Sequence, residues 1–389
     1  MTTPEIFLKP KEDKRISAGH LWVFSNEIAR VNGSPRVGDV VQVKNGRGES
    51  LGFGFYNPST LIAIRIFSKY WIEPDKTFFI DRINLALSLR QRLFKDPFYR
   101  LVHGESDFLP GLIVDRYDRL FSVQILCAGI ECRKQFLYDA LKDLFSPAAI
   151  YERNESGTRE LEGLPQLKSI VSGIEESVDY IEDGVTFRID PFSGQKTGFY
   201  YDQRANRIFS RTCAEGLNAL DLFSNEGGFA LNLASAGAAD VISVDSSEAA
   251  MKRLQLNAEL NGFGNVHGFV CDANEFLEKQ IQSGGFFDLV VCDPPSFTKN
   301  RKAVTVAKAG YRKLHENIFA VLKKGGFLLT ASCSHHIFRE TFEEVVHTAA
   351  VKSGRTLQLL HRAGASPDHP VLPAMPETEY LKFAAYRVT

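Results

Sequence analysis

No Cys-x-x-Cys pair and no cluster of cysteine with histidine occurs in the 389 residues, so the usual zinc-binding spacings are excluded and no metal is expected. Of the six cysteines, at positions 127, 132, 213, 271, 292 and 333, several stand in apolar strand-like runs. Small buried hydrophobes behave this way, and the pattern is that of a reduced, cytosolic chain. No apolar run approaches the ~20 residues that cross a bilayer. The start, Met1 to Pro4 with Glu5 and Lys9 soon after, lacks an apolar signal core. A cytoplasmic location without membrane contact is therefore expected. Net charge is only −1, which excludes a polycation. The charge is uneven, however. Residues 1–70 carry 10 Lys+Arg against 6 Asp+Glu, a net of +4 that leaves −5 on the remainder. Such asymmetry suits a polyanionic partner held at one end, although ordinary scatter of surface charge would give the same number.

Length suggests two or three domains, and 44% hydrophobic with 24% charged residues is ordinary for a globular protein. The informative stretch runs from Leu217 to Phe297. Apolar runs end at Asp221, at Asp245 and at Cys271-Asp272, and a further one stops at Asp293-Pro294-Pro295. The turn Ser224-Asn225-Glu226-Gly227-Gly228 feeds a helical pattern over 229–236, and Ser246 or Ser247 caps a second helix that Gly262 ends. Short apolar strands alternating with helices predict a parallel sheet wound right-handedly. Ligands bind at the carboxyl edge of such a sheet, where each of these strands delivers an acid. The glycine turn is neither Gly-x-Gly-x-x-Gly nor a phosphate-binding loop, so a dinucleotide or a polyphosphate is not indicated. A carboxylate on the second strand can accept from both ribose hydroxyls. The set fits a positively charged nucleoside without phosphates, such as S-adenosyl-L-methionine. The competing reading is that these acids merely cap helices.

These residues resemble the core of the class I methyltransferases. Asp221 with Ser224 and Gly227 is similar to the family's first motif, and Asp245, Asp272 and Asp293-Pro294-Pro295 resemble its ribose, adenine and catalytic motifs. Upstream, the segment from Gln195 to Arg204, QKTGFYYDQR, resembles a signature of a bacterial rRNA methyltransferase family. Ser332-Cys333-Ser334 resembles the nucleophile motif of cytosine-C5 RNA methyltransferases. The whole chain is similar to the 23S rRNA cytosine-C5 methyltransferases that carry an N-terminal PUA domain. The resemblance implies an α/β protein: a Rossmann-like C-terminal domain over 186–389, a PUA β-barrel that binds RNA over 1–70, and a central α+β domain over 71–185. It implies S-adenosyl-L-methionine as cofactor, held by Asp221, Ser224, Gly227, Asp245, Asp272 and Asp293 with Gln195, Tyr200 and Arg204. It implies 23S rRNA or a large-subunit assembly intermediate as partner. A homodimer is left open.

The order of strands agrees with this division. Residues 1–70 read as short strands over Glu5–Leu8, 39–44, 51–56 and 61–67, punctuated by Gly and Pro. The segment from Lys14 to Phe24 resembles the start of a PUA domain, with Leu21 where that motif usually has Pro. Trp22 and Phe24 are either base-stacking platforms or barrel core. Lys11, Lys14, Arg15 and Arg65 are candidates for phosphate contact. Arg153, Asn154 and Arg159 read as a polar loop, either solvated or touching RNA, with the solvated loop favoured. Thr298 to Leu314 contains six basic residues and no acidic one. Lys299, Arg301 and Lys302, with Pro294, Pro295 and Phe297, are therefore candidates for RNA contact, against the alternative of a solvated helix face.

Cytosine C5 is a poor nucleophile, so its methylation needs a thiolate adding to C6 and an acid near N3. Cys333 and Asp293 are the expected pair. Cys292, one residue before Asp293 in an apolar strand, should face the core. Ser296 follows Pro295 where many RNA cytosine-C5 enzymes have a second cysteine, so the base that takes the C5 proton stays open. Two other readings remain. Asp293-Pro294-Pro295-Ser296-Phe297 is similar to an amino-methyltransferase motif with one residue too many. A non-catalytic RNA-binding assembly factor would keep the fold without the chemistry.

Overall fold

The computed structural model describes residues 3–298 and 303–389, and the chain divides into two compact units. The first comprises Met1–Val178, Ile189–Tyr201 and Pro367–Thr378. Its N-terminal part is a six-stranded sheet in the spatial order Trp22–Phe24, Ile62–Ser68, Ser50–Tyr56, Val40–Lys44, Glu5–Leu8 and Ile28–Asn32. The strands expected from the sequence are present. Two additional short ones, Trp22–Phe24 and Ile28–Asn32, form the edges, where partial exposure blurs the alternation of side chains. A five-stranded sheet follows, in the order Leu167–Ser172, Ala149–Asn154, Leu120–Ile125, Leu112–Tyr117, Phe98–His103. Helices Lys76–Leu93 and Lys134–Phe145 belong with it. Phe53, Phe55 and Phe67 of the first sheet share one apolar cluster with Phe79, Leu101, Phe121 and Ile150.

Two expectations are corrected here. Arg65 does not offer its charge to solvent. It is buried, with Nη1 donating to Glu105 at 2.8 Å and Nη2 to Glu162 at 3.2 Å. A desolvated guanidinium needs carboxylate partners, and these come from distant parts of the chain. Nor do Arg153, Asn154 and Arg159 form a solvated loop. Arg153 and Asn154 end a buried strand, and Arg159 lies in the short helix Thr158–Leu161 with no exposed surface. Arg153 donates to the carbonyls of Pro191 and Gly194, Arg159 to Glu131, and the Ile125 N–H donates to Asn154 Oδ1.

The second unit comprises Asp179–Arg188, Asp202–Ser366 and Glu379–Thr389. Its sheet has seven strands, numbered here along the chain: β1 Asn218–Leu222, β2 Asp240–Asp245, β3 Val266–Val270, β4 Phe287–Cys292, β5 Leu322–Ser332, β6 Leu357–Ala363 and β7 Lys382–Val388. Their spatial order is β3-β2-β1-β4-β5-β7-β6. The pairs from β3 to β5 are parallel, whereas β7 runs antiparallel between β5 and β6. The chain leaves β1 toward β2 and β3, then returns to the other side of β1 as β4. This reversal opens a crevice at the carboxyl ends of β1 and β4. Helix Glu248–Asn261 begins where Ser247 Oγ accepts the Ala250 N–H and ends at Gly262 with φ 71°. Leu220, Val244, Val290 and Leu328 of the sheet pack with Leu314, Ile318, Val346 and Ala350 of two covering helices. No helix among the described residues is long and apolar enough to cross a membrane.

Candidate functional site

The first acid is spent on its own turn. Asp221 is buried, and its Oδ2 accepts from Ser224 Oγ at 2.7 Å and from the Ala230 N–H at 3.0 Å. Phe223, Asn225 and Gly227 all have positive φ, at 62°, 49° and 87°. These left-handed residues double the chain back so that helix Gly228–Ser235 starts directly after the strand. A Cβ on Gly227 would approach Leu254 Cγ to 3.1 Å, so the position demands glycine on both counts. Burial pushes the Asp221 carboxyl up to about 7, the hydrogen bonds from Ser224 and Ala230 oppose the rise, and the charges of Asp293 and Asp245 add to it. Carboxylates repelling one another at the mouth of β1 suit a cationic ligand, which would relieve that repulsion.

Asp245, half-buried at the end of β2, joins the first two turns. Its Oδ2 accepts the Asn225 N–H at 3.0 Å and its Oδ1 the Ser247 N–H at 2.9 Å. Each oxygen keeps a second lone pair for a ligand. Asp272 is exposed and caps helix Ala273–Ser283 through the N–H groups of Asn274 and Glu275 at 2.8 and 3.2 Å. The cap reading of the acids thus describes part of what Asp272 does.

Asp293 follows β4 and is half-buried. Its Oδ2 accepts from Gln203 Nε2 at 2.9 Å, and Gln203 Oε1 accepts in turn from Asn206 Nδ2 at 2.6 Å. The sequence placed Gln203 in a signature without giving it a role. Its adjacency to Arg204 in that signature was the only signal. Arg204 itself is buried, with Nε 3.7 Å from Glu182 and its guanidinium 5.4 Å from the Tyr180 ring centroid. Arg207 binds the same carboxylate at 2.7 and 2.6 Å.

Cys333 leaves the end of β5, the parallel neighbour of β4. Its Sγ lies 3.9 Å from the Pro294 carbonyl oxygen, so Cys333 and the Asp293-Pro294-Pro295 turn meet. Alternation decides which way each cysteine faces. Ser332 and Ser334 turn inward, both within 3.0 Å of the buried Tyr311 hydroxyl, and Ser334 Oγ accepts the Phe297 N–H at 3.2 Å. Cys333, between them, is partly exposed, whereas Cys292 is fully buried in the core and burial pushes its thiol far up. Pro294 is buried and Pro295 exposed. The Phe297 ring packs against Tyr311 at 4.5 Å between centroids.

The remaining candidates fall elsewhere. Gln195 and Tyr200 belong to the first unit, where the Tyr200 hydroxyl donates to Gln195 Oε1 at 3.0 Å and Lys196 Nζ lies 4.3 Å from the Tyr200 ring. Gly198 has φ 126°, and a Cβ there would meet the Tyr117 hydroxyl at 2.8 Å. The QKTGFYYDQR signature therefore divides, with 195–201 in the first unit and 202–204 in the second. Lys14 is exposed on the helix Lys14–Ser17. Arg15 is bonded to Glu27 at 2.5 Å and stands 4.8 Å over Phe24. Trp22 is half-buried and donates to Glu105 at 2.7 Å. Lys299, Arg301 and Lys302 lie outside the described residues.

A PUA-like domain model matches residues 6–69, and a model of S-adenosylmethionine-dependent methyltransferases matches 168–381. The ribosomal RNA large subunit methyltransferase I of Aliivibrio fischeri is 37% identical over 99% of this chain and 100% of its own. That of Photobacterium profundum is also 37% identical, over 99% of each chain. Among solved structures, a SAM-dependent methyltransferase from Streptococcus mutans superposes with a TM-score of 0.85 at 19% identity, over 98% of this chain and 99% of that one. A further solved structure, of a methyltransferase complexed with SAH, superposes at 0.86 with the same identity and coverage. These likenesses match the fold that the sequence predicts. The chain belongs to the S-adenosylmethionine-dependent methyltransferases with an N-terminal PUA-like domain, the family of the ribosomal RNA large subunit methyltransferase I proteins.

Proposed function

We propose that this protein methylates carbon 5 of a cytosine in 23S rRNA by way of a covalent bond between Cys333 and C6 of the base. The observation that carries the proposal is the meeting of Cys333 with the Asp293-Pro294 turn at the ends of adjacent parallel strands, Sγ 3.9 Å from the Pro294 oxygen. Thiolate addition to C6 breaks the C5=C6 double bond, and the Asp293 carboxyl supplies a proton to N3 to offset the charge of the adduct. S-adenosylmethionine supplies the methyl group that carbon 5 takes up. A base then removes the C5 proton, whose bonding pair restores the C5=C6 bond, the electron pair of the S–C6 bond returns to sulfur, and N3 returns its proton to Asp293. Gln203, held by Asn206, keeps Asp293 turned toward its task. An amino-methyltransferase of the Asp-Pro-Pro-aromatic type would stack its aromatic on the base, but the Phe297 ring is packed on Tyr311.

For the cofactor, Asp245 is assigned to the ribose hydroxyls and Asp272 to the adenine. Ser224 and Gly227 shape the turn against which the ligand lies, and Asp221 braces it. Gln195, Tyr200 and Arg204 are assigned a supporting part. Asp245→Ala is expected to weaken S-adenosylmethionine binding by about 1.5–3 kcal/mol, the cost of losing hydrogen bonds to a charged group. Isothermal calorimetry reads this directly, and an unchanged affinity would remove Asp245 from the site.

The RNA is taken as 23S rRNA or a large-subunit assembly intermediate, in the cytoplasm, on the names of the relatives; a paired base must be extruded before its C5 is reached. Exposed Lys14, with Arg15 and the basic segment 299–313, is assigned to phosphates, and Pro294, Pro295 and Phe297 to the neighbourhood of the base. With about five phosphate contacts, affinity for a 23S rRNA fragment should fall roughly 10²-fold between ~50 and ~200 mM salt. Filter binding across that range tests it, and a flat response would remove the phosphate contacts.

A further inference from the structure

Among the described residues of the second unit, one buried cation has no carboxylate within 4.0 Å. Arg204 and Arg207 share Glu182, and in the first unit Arg65, Arg90, Arg153 and Arg159 each have a carboxylate within 4.0 Å. Lys382 has none among the described residues, although only 4% of its surface is exposed. It opens β7 and stands directly opposite Ser332, the residue before Cys333, in the antiparallel ladder with β5. Its Nζ donates to the carbonyl of Ser334, the residue after Cys333, at 2.7 Å, and to that of Tyr380 at 2.7 Å. An ammonium has three N–H donors, so one remains. A lone buried charge is costly unless something at the site requires it.

We infer that Lys382 is a positioning residue for the nucleophile: it anchors the Ser332-Cys333-Ser334 loop by its two carbonyl bonds and sets its positive charge beside Cys333, so that the sulfur is held as the thiolate. The inference rests on Cys333 being the nucleophile. Burial lowers the Lys382 ammonium to about 8; a negative Cys333 opposes that fall, Arg339 adds to it and Glu379 opposes it. Other titratable or charged groups around the pair are Glu379 and Arg339, bonded to each other at 3.0 Å, Tyr380 and His335, and Tyr311, with Asp293 one residue before the Pro294 carbonyl that Cys333 approaches. During addition the sulfur's electron pair forms the S–C6 bond and the C5=C6 pair moves toward N3, which is protonated. On elimination the pair returns to sulfur, and the ammonium again faces an anion. No proton need leave Lys382 at either step.

The test separates charge from anchoring. Lys382→Met removes both, and Lys382→Gln keeps N–H donors for the two carbonyls without the charge. Each variant is checked for an unchanged melting transition, and Cys333 alkylation by iodoacetamide is followed by peptide mass spectrometry between pH 6 and 9. Both variants are expected to alkylate at neutral pH about tenfold more slowly than wild type, as a loss of thiolate requires. They should also lower kcat while leaving KM for the RNA unchanged. If Lys382→Gln alkylates like wild type, the lysine only anchors the loop and the inference is overturned. Wild-type rates in Lys382→Met overturn it too. Should Lys382→Met not fold, Lys382→Gln decides alone. A different result sinks the reading underneath: wild-type protein that forms no covalent adduct with 5-fluorocytidine RNA. That failure is independent of the alkylation rates.

Discussion

Cys333→Ala is expected to lose methyl transfer by roughly 10⁴-fold or more, because no other group can open the C5=C6 bond. The stronger readout is covalent. RNA with 5-fluorocytidine at the target cannot lose its C5 substituent as a proton, so the adduct persists. Wild-type protein with S-adenosylmethionine should give a denaturant-resistant protein–RNA band, and Cys333→Ala none. Cys292→Ser should still form the band, although stability suffers, since its thiol is fully buried among Leu222, Val290 and Leu328 and a hydroxyl there would be desolvated. A band that survives in Cys333→Ala but vanishes in Cys292→Ser would reverse the assignment. If no variant forms a band and the methyl group is found on an exocyclic amine, the amino-methyltransferase reading replaces this one. If wild type binds neither cofactor nor methylates RNA, the assembly-factor reading does.

Asp293→Asn tests the other half of the chemistry. Asparagine can still accept the Gln203 hydrogen bond, made at 2.9 Å in the native protein, so the turn should keep its shape. It cannot give a proton to N3. The expected result is a fall in kcat of about 10²–10⁴-fold, the usual contribution of a positioned general acid, with RNA affinity unchanged. Single-turnover kinetics with saturating RNA separate the two. Unchanged kcat would show that N3 is protonated by another group. A loss of RNA affinity in place of kcat would make Asp293 a binding residue.

Much of this site is local in the chain and was legible there. Apolar runs that stop at an acid marked the carboxyl edge of the sheet, and the alternation of side chains placed Cys292 inward. Both follow from the period of a strand and from where the chain turns. The helix boundaries at Ser247 and Gly262 follow from capping, which also acts within a few residues. The partners of charged side chains do not. Arg65, Arg153 and Arg159 read as solvent-facing because arginine usually is. Only folding brought Glu105 and Glu162 to Arg65, 40 and 97 residues away, and Glu131 to Arg159 across 28. The same holds for Gln203, 90 residues from Asp293, and for Lys382, 48 residues beyond the Ser334 carbonyl that it grips. Sequence determined which residue types stand at the strand ends, because the pattern that buries a strand is short-ranged. The tertiary structure alone decided which charges are paired and which is left without a carboxylate beside the Ser332-Cys333-Ser334 turn. That choice depends on the strand order β3-β2-β1-β4-β5-β7-β6, in which the last strand of the chain is inserted antiparallel next to β5.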